Sequence, residues 1–154
     1  MAYIQLKTFI QAPAQLCFDL SRSIDLHTQG MQHTEEKAVA GVTSGLIGPG
    51  ESVTWQARHF GISMRLASKI TAMRFSDYFR DEMQEGPFKS MTHDHVFMEE
   101  RGGTLMIDDF EFYSPCGLAG KLVDFLILKG YMKRLLKKRN HLIQRVAEEQ
   151  AKAG

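Results

Sequence analysis

Val53-Thr54-Trp55-Gln56-Ala57-Arg58-His59-Phe60-Gly61-Ile62-Ser63-Met64-Arg65-Leu66-Ala67-Ser68 reads as two strands folded back on each other. With Phe60-Gly61 as a tight turn, Val53, Trp55, Ala57 and His59 fall opposite Ser68, Leu66, Met64 and Ile62 on one face. That face is mostly apolar. The other collects Thr54, Gln56, Arg58, Ser63, Arg65, Ala67 and Lys69, the solvated side of a sheet. Something else in the chain has to cover the apolar face.

Upstream, residues 3–10 alternate as a strand, and Ala12-Pro13-Ala14 opens a short helical segment with Leu16, Phe18 and Leu20 on its apolar side. Asp25 to Gly50 is rich in Gly, Thr, Ser and His, with one short strand expected near Lys37 to Val42, and reads as the most mobile region. Gly45 to Gly50 lacks a Lys-Ser/Thr ending and feeds a strand, which argues against a phosphate loop. Downstream, a strand spans Asp77 to Gln84, and Phe88 to Glu99 and Thr104 to Tyr113 form a hairpin around Arg101-Gly102-Gly103. After Ser114-Pro115-Cys116-Gly117 the period turns helical through Leu118, Leu122, Phe125, Leu128, Met132, Leu135, Leu142 and Val146. The basic row from Lys133 to Arg139 reads as that helix's solvated face, and the tail after Glu148 is expected to fray. An apolar sheet face plus one long amphipathic helix gives an α+β domain, a curved antiparallel sheet around a C-terminal helix with a small N-terminal helical segment.

Length and charge agree. The 154 residues, 44% of them apolar, suit a single domain over 1–154. Lys plus Arg is 19 against 18 Asp plus Glu, which gives no bulk electrostatic reason for a nucleic-acid partner. Leu122 to Leu128 falls short of the roughly 20 residues of a membrane span and is expected as a buried helix segment. The start lacks the pattern of a signal peptide. Cys17 and Cys116 are too few for a disulfide scaffold, so reduced thiols and a cytoplasmic location are expected.

The element order, the run Gly86-Pro87-Phe88 with His93-Asp94-His95-Val96-Phe97, the Phe79-Arg80-Asp81-Glu82-Met83 strand and the Leu122-Val123-Asp124 stretch resemble the SRPBCC superfamily. This is the helix-grip fold of START lipid-transfer domains, polyketide cyclases and the birch pollen allergen family, and the GPF…HxHxF pattern resembles a bacterial subgroup. The resemblance implies a cavity between sheet and helix that takes an apolar or amphipathic small molecule. It implies no fixed catalytic set.

His93 and His95, two apart on a strand, share a face with Phe97. A two-residue loop in the next hairpin seats Asp108 opposite His95 and puts Met106, Phe110 and Phe112 on the same face. Phe79, Asp81 and Met83 face the same way on the preceding strand, with Asp81 beside His93. This group admits a hydrogen-bonded polar network lining a pocket, acid–base work on a bound molecule, or a His/Asp metal site. Trp55 and His59 face inward too, while His27 and His33 lie near the cavity mouth. Met64, Met83, Met91 and Met106 would give the walls soft surfaces.

The expected function is binding, for transport or sensing, of a small hydrophobic or amphipathic ligand, without cofactor or metal. Trp55, His59, Phe79, Asp81, Met83, His93, His95, Phe97, Asp108, Phe110, Phe112 and Phe125 are the expected ligand-binding residues. One alternative is a cyclase- or dehydratase-like enzyme using His93, His95, Asp81 and Asp108. The other is a non-enzymatic regulator that contacts a protein partner through the Asp25 to Gly50 segment or the last helix.

Overall fold

The computed structural model describes residues 1–114, 117, 122 and 124–154, with the backbone alone for 124 and 125. Seven strands form one antiparallel sheet: β1 (Ala2–Ile10), β2 (Lys37–Gly41), β3 (Ser52–His59), β4 (Ile62–Arg74), β5 (Tyr78–Glu85), β6 (Ser90–Glu100) and β7 (Gly103–Tyr113). Their order is β1-β7-β6-β5-β4-β3-β2. Strands β2 to β7 run as a meander, and the first strand closes the far edge against the last. Helices α1 (Ala14–Ser21) and α2 (Ile24–Gly30) carry the chain from one edge to the other, and α3 (Lys129–Ala153) follows a π-helical turn, Asp124–Leu128.

The β3–β4 register pairs Val53 with Ser68, Trp55 with Leu66, Ala57 with Met64 and His59 with Ile62. Phe60 and Gly61 both take positive φ, the mirror-image turn whose twist suits a two-residue hairpin. Arg101 and Gly102 make the same turn between β6 and β7, which sets His95 across from Asp108.

Two apolar clusters fill the space between sheet and helices. One joins Phe18 of α1 with Phe79, Phe97, Met106, Ile143 and Ala147, and the other joins Ile4, Met91, Phe110 and Phe112 with Leu136 of α3. Phe18 meets both Phe79 and Phe97 edge-on, at 5.6 and 5.5 Å between ring centres, the offset geometry aromatic pairs prefer.

Four expectations need correction. The Asp25 to Gly50 segment is not all loop: α2 fills its start because Ser23 caps the helix, its Oγ accepting the Leu26 N–H. Asp25 Oδ2 accepts the Gly45 N–H and ties the later loop to that helix. Residues after Glu148 stay helical to Ala153, and Ala151 packs on the core. Leu122, Leu126 and Ile127 are exposed rather than buried, since the π-helical turn shifts the helical phase before α3. Arg139 is not on the solvated face: at four residues from Leu135 it shares the buried side, while Lys133, Lys137 and Lys138 remain exposed. Cys116 and Leu118 lie outside the described residues.

Candidate functional site

Alternation along β5, β6 and β7 aims Asp81, His93, His95 and Asp108 at the concave face, between the two apolar clusters. His95 stacks on Phe79 with ring centres 4.1 Å apart, and His93 meets Phe110 edge-on at 5.2 Å. The two imidazoles lie 3.7 Å apart.

Their hydrogen bonds run diagonally across the sheet. His93 faces Asp81 in register yet its Nε2 lies 2.9 Å from Asp108 Oδ1, and His95 faces Asp108 yet its Nε2 lies 2.8 Å from Asp81 Oδ2. Asp108 is fully buried and also accepts from Arg139 Nη1 at 3.2 Å and Asn140 Nδ2 at 2.7 Å, both on α3. A carboxylate with a guanidinium partner accepts, so His93 Nε2 carries the proton and its Nδ1 bears a lone pair. That Nδ1 makes no hydrogen bond among the described residues, and Asp81 Oδ2 stands 4.0 Å from it. Arg139 Nη2 donates toward His95 Nδ1 at 3.3 Å, so His95 donates through Nε2 to Asp81. Ser68 Oγ donates to the other Asp81 oxygen at 3.1 Å.

Burial alone would raise the Asp108 carboxyl, but the His93 bond and then the His95 ring and Arg139 charge hold it well below the usual range. Asp81 follows the same balance, raised by burial and brought down to about 2, first by the His95 hydrogen bond. Burial, then the neighbouring His95 ring, pushes His93 down, so it is neutral at neutral pH.

Beside this network lies a cavity of about 340 Å³ between the sheet, α2 and α3. Asp81, His93, His95, Phe79, Phe110 and Arg139 are among the residues that line it. Trp55 and His59 line it as well, with Ala57, Met64, Leu66 and Met91 among its apolar walls. His27 of α2 packs on Trp55 with the ring centres 4.2 Å apart and the planes tilted by 34°, and bonds Glu36 at 3.1 Å, while His59 Nδ1 bonds the Tyr131 hydroxyl at 2.6 Å.

Four expected lining residues are not on its surface. Phe97 is covered by Phe18 of α1, and Phe112 is fully buried among Phe88, Phe110 and Leu136. Asp108 sits behind the imidazoles and reaches α3 instead. Met83 packs with Leu66 and Phe88 against the space above Gly86. The side chain of Phe125 lies outside the described residues, and His33 is exposed away from the lining. Met106 is wholly buried and fills core rather than cavity wall. Reading the sequence missed Arg139 and Asn140, although both repeat the Leu135 and Leu136 positions one helical turn later.

Asp81, His93 and His95 each offer a ligand atom within 4.8 Å of the other two. Chemically the cluster can accept a hydrogen bond at His93 Nδ1, move a proton, or hold a cation.

No helix among the described residues is long and apolar enough to cross a membrane. No family model and no curated protein matches the sequence. Among solved structures, Zhui aromatase/cyclase from Streptomyces sp. R1128 aligns with TM-score 0.77 at 12% identity, over 97% of this chain and 94% of that one. TTHA0849 from Thermus thermophilus aligns with TM-score 0.73 at 18% identity, over 95% of this chain and 99% of that one. Ginseng major latex-like protein 151 from Panax ginseng gives TM-score 0.68 at 14% identity, over 95% and 97%. With its seven-stranded sheet closed on one long helix, the chain has the helix-grip fold that it shares with these structures.

Proposed function

We propose that this chain is one domain that binds a small hydrophobic or amphipathic molecule between the sheet and α3, for transport or sensing. The observation that carries the reading is the cavity of about 340 Å³, apolar over most of its walls, with Asp81, His93, His95 and Arg139 among the polar groups that line it. Sites of this kind bury a ligand's body in apolar contact and fix its orientation with few polar groups. Trp55, Phe79 and Phe110 bury the body. His93 Nδ1, an acceptor without a partner, takes a hydroxyl of the ligand, while Asp108 holds the His93 ring from behind. The bacterial subgroup of the GPF…HxHxF pattern and a cytoplasmic location, where the buried Cys17 thiol stays reduced, complete the reading.

Native mass spectrometry and thermal shift with long-chain alcohols, alkylphenols and their hydroxyl-free alkane counterparts test it. Binding of the hydroxylated series, with the alkanes weaker, is expected. An unchanged melting temperature and no adduct across all of them would falsify the reading.

The acid–base alternative is favoured by one feature, a His93 lone pair without a hydrogen bond among the described residues, on a ring that lines the cavity beside the Asp81–His95 pair. It requires that His93→Gln or His95→Gln abolish turnover of a molecule that still binds. Retained turnover in both variants removes it.

A further inference from the structure

Asp81 is the one carboxylate of the cluster with no Lys or Arg partner among the described residues: it accepts from Ser68 Oγ and His95 Nε2, and its Oδ2 stands 4.0 Å from His93 Nδ1. The Arg139 charge is taken up by Asp108. Two buried imidazoles and a carboxylate with no Lys or Arg partner among the described residues leave the cluster acidic at the cavity wall, where the Asp81 side chain keeps 20% of its surface exposed. A carboxylate set beside two imidazoles in this way is a ready partner for a cation.

From this geometry we propose that Asp81 Oδ2, His93 Nδ1 and His95 Nε2 form a binding site for a divalent transition-metal ion. Three observations support it. The three residues bring their donor atoms within 4.8 Å of one another. A tetrahedral zinc ion with bonds of about 2.1 Å places its ligands about 3.4 Å apart, between the 2.8 Å of Asp81–His95 and the 4.0 Å of Asp81–His93. His93 Nδ1 already bears a free lone pair, because its Nε2–H is committed to Asp108, the carboxylate–histidine–metal arrangement that orients metal ligands. His95 becomes a ligand by moving its proton from Nε2 to Nδ1, where Asp108 Oδ1 at 3.3 Å accepts it. The ring stays neutral and no proton is released. Arg139 gives up His95 but keeps Asp108, Asn140 and the Ser21 carbonyl. Three protein ligands leave a fourth position open to water or to the oxygen of a bound molecule, which then meets the metal in place of the His93 lone pair that it meets in the metal-free chain.

The experiment is equilibrium dialysis of chelator-stripped protein against Zn²⁺, followed by Co²⁺ absorption and imidazole ¹⁵N NMR of the wild-type chain. One Zn²⁺ per chain is expected, with visible Co²⁺ bands of a low-coordinate nitrogen–oxygen site. Of the 6 histidines, two should show metal-shifted ring nitrogens. Asp81→Asn and His93→Phe should weaken Zn²⁺ by ~100-fold or more, while His33→Ala leaves it unchanged. Absence of stoichiometric Zn²⁺, shifts at other histidines only, or undiminished affinity in a folded Asp81→Asn chain overturns the proposal. The NMR readout on the unaltered protein decides the matter if a variant misfolds. Ligand binding measured with chelator present separates this site from the cavity reading, since either can fail alone.

Discussion

Arg139 Nη1 lies 3.2 Å from Asp108 Oδ1, two opposite charges joined across the sheet–helix interface with almost no access to water. Removing one partner of a buried pair strands the other in a low-dielectric setting, which costs about 3–5 kcal/mol. Asn140 and His93 still bond Asp108, so Arg139→Met should fall near the lower figure, about 3 kcal/mol in urea unfolding. A single variant indistinguishable from wild type would mean that the pair contributes no net stability.

The hairpin register was legible because alternation and a two-residue turn admit one pairing of residues 53–68, and a one-residue slip would expose Trp55 and Ala57. Seating Asp108 across from His95 followed from the same rule. The bonding within the cluster was not legible, because side chains lean along their strands and each imidazole reaches the diagonal carboxylate. Arg139 and Asn140 escaped notice because a polar residue on an amphipathic helix is ordinarily solvated, and only the opposing Asp108 makes the buried position favourable. Helix α2 was hidden by its Gly30 and Thr28, weak helix formers that the Ser23 cap and the packing of Ile24 and Leu26 outweigh.

Trp55 is the only tryptophan of the chain, it lines the cavity, and its ring centre lies 4.2 Å from that of His27. A ligand that displaces water beside the indole should therefore change its emission. Titration with an alkylphenol should give a saturable blue shift, and Trp55→Phe should erase the signal while calorimetry still detects binding. A shift that never saturates would indicate non-specific association.

The Ser23 hydroxyl caps α2 and holds the helix that carries His27 to the cavity wall. Ser23→Ala should cost about 1 kcal/mol of stability, and Ser23→Asp should retain it. The readout is the urea midpoint of each variant. An alanine variant as stable as wild type would show that packing of Ile24 and Leu26 alone holds α2.

Burial pushes the His59 imidazole below its ordinary pKa; Glu36 opposes that shift, His33 reinforces it, and the Tyr131 hydroxyl is hydrogen-bonded to the ring. The unfolded chain protonates this residue near pH 6.5, whereas the folded chain does so only at lower pH. Between those two values the unfolded state holds more protons, so stability rises with pH through the window and falls on acidification. His59→Gln should flatten the stability curve below about pH 6.5 while leaving its slope above neutrality unchanged. Chemical denaturation at closely spaced pH values measures both slopes, and equal slopes in variant and wild type would show that His59 does not titrate differently on folding.

Ala57 is buried on β3, opposite Met64, with its Cβ at the wall of the cavity. A larger apolar side chain there would occupy space that a ligand needs while removing more apolar surface from water. Overpacking costs about 1–3 kcal/mol where a core is already full, whereas a void accepts the ring without that strain. Ala57→Phe should thus keep or raise the melting temperature and weaken alkylphenol binding by at least ~10-fold, a loss of about 1.4 kcal/mol. The two measurements must move in opposite directions if this hollow is the place of binding. A destabilised variant with unchanged affinity would locate the ligand elsewhere on the molecule.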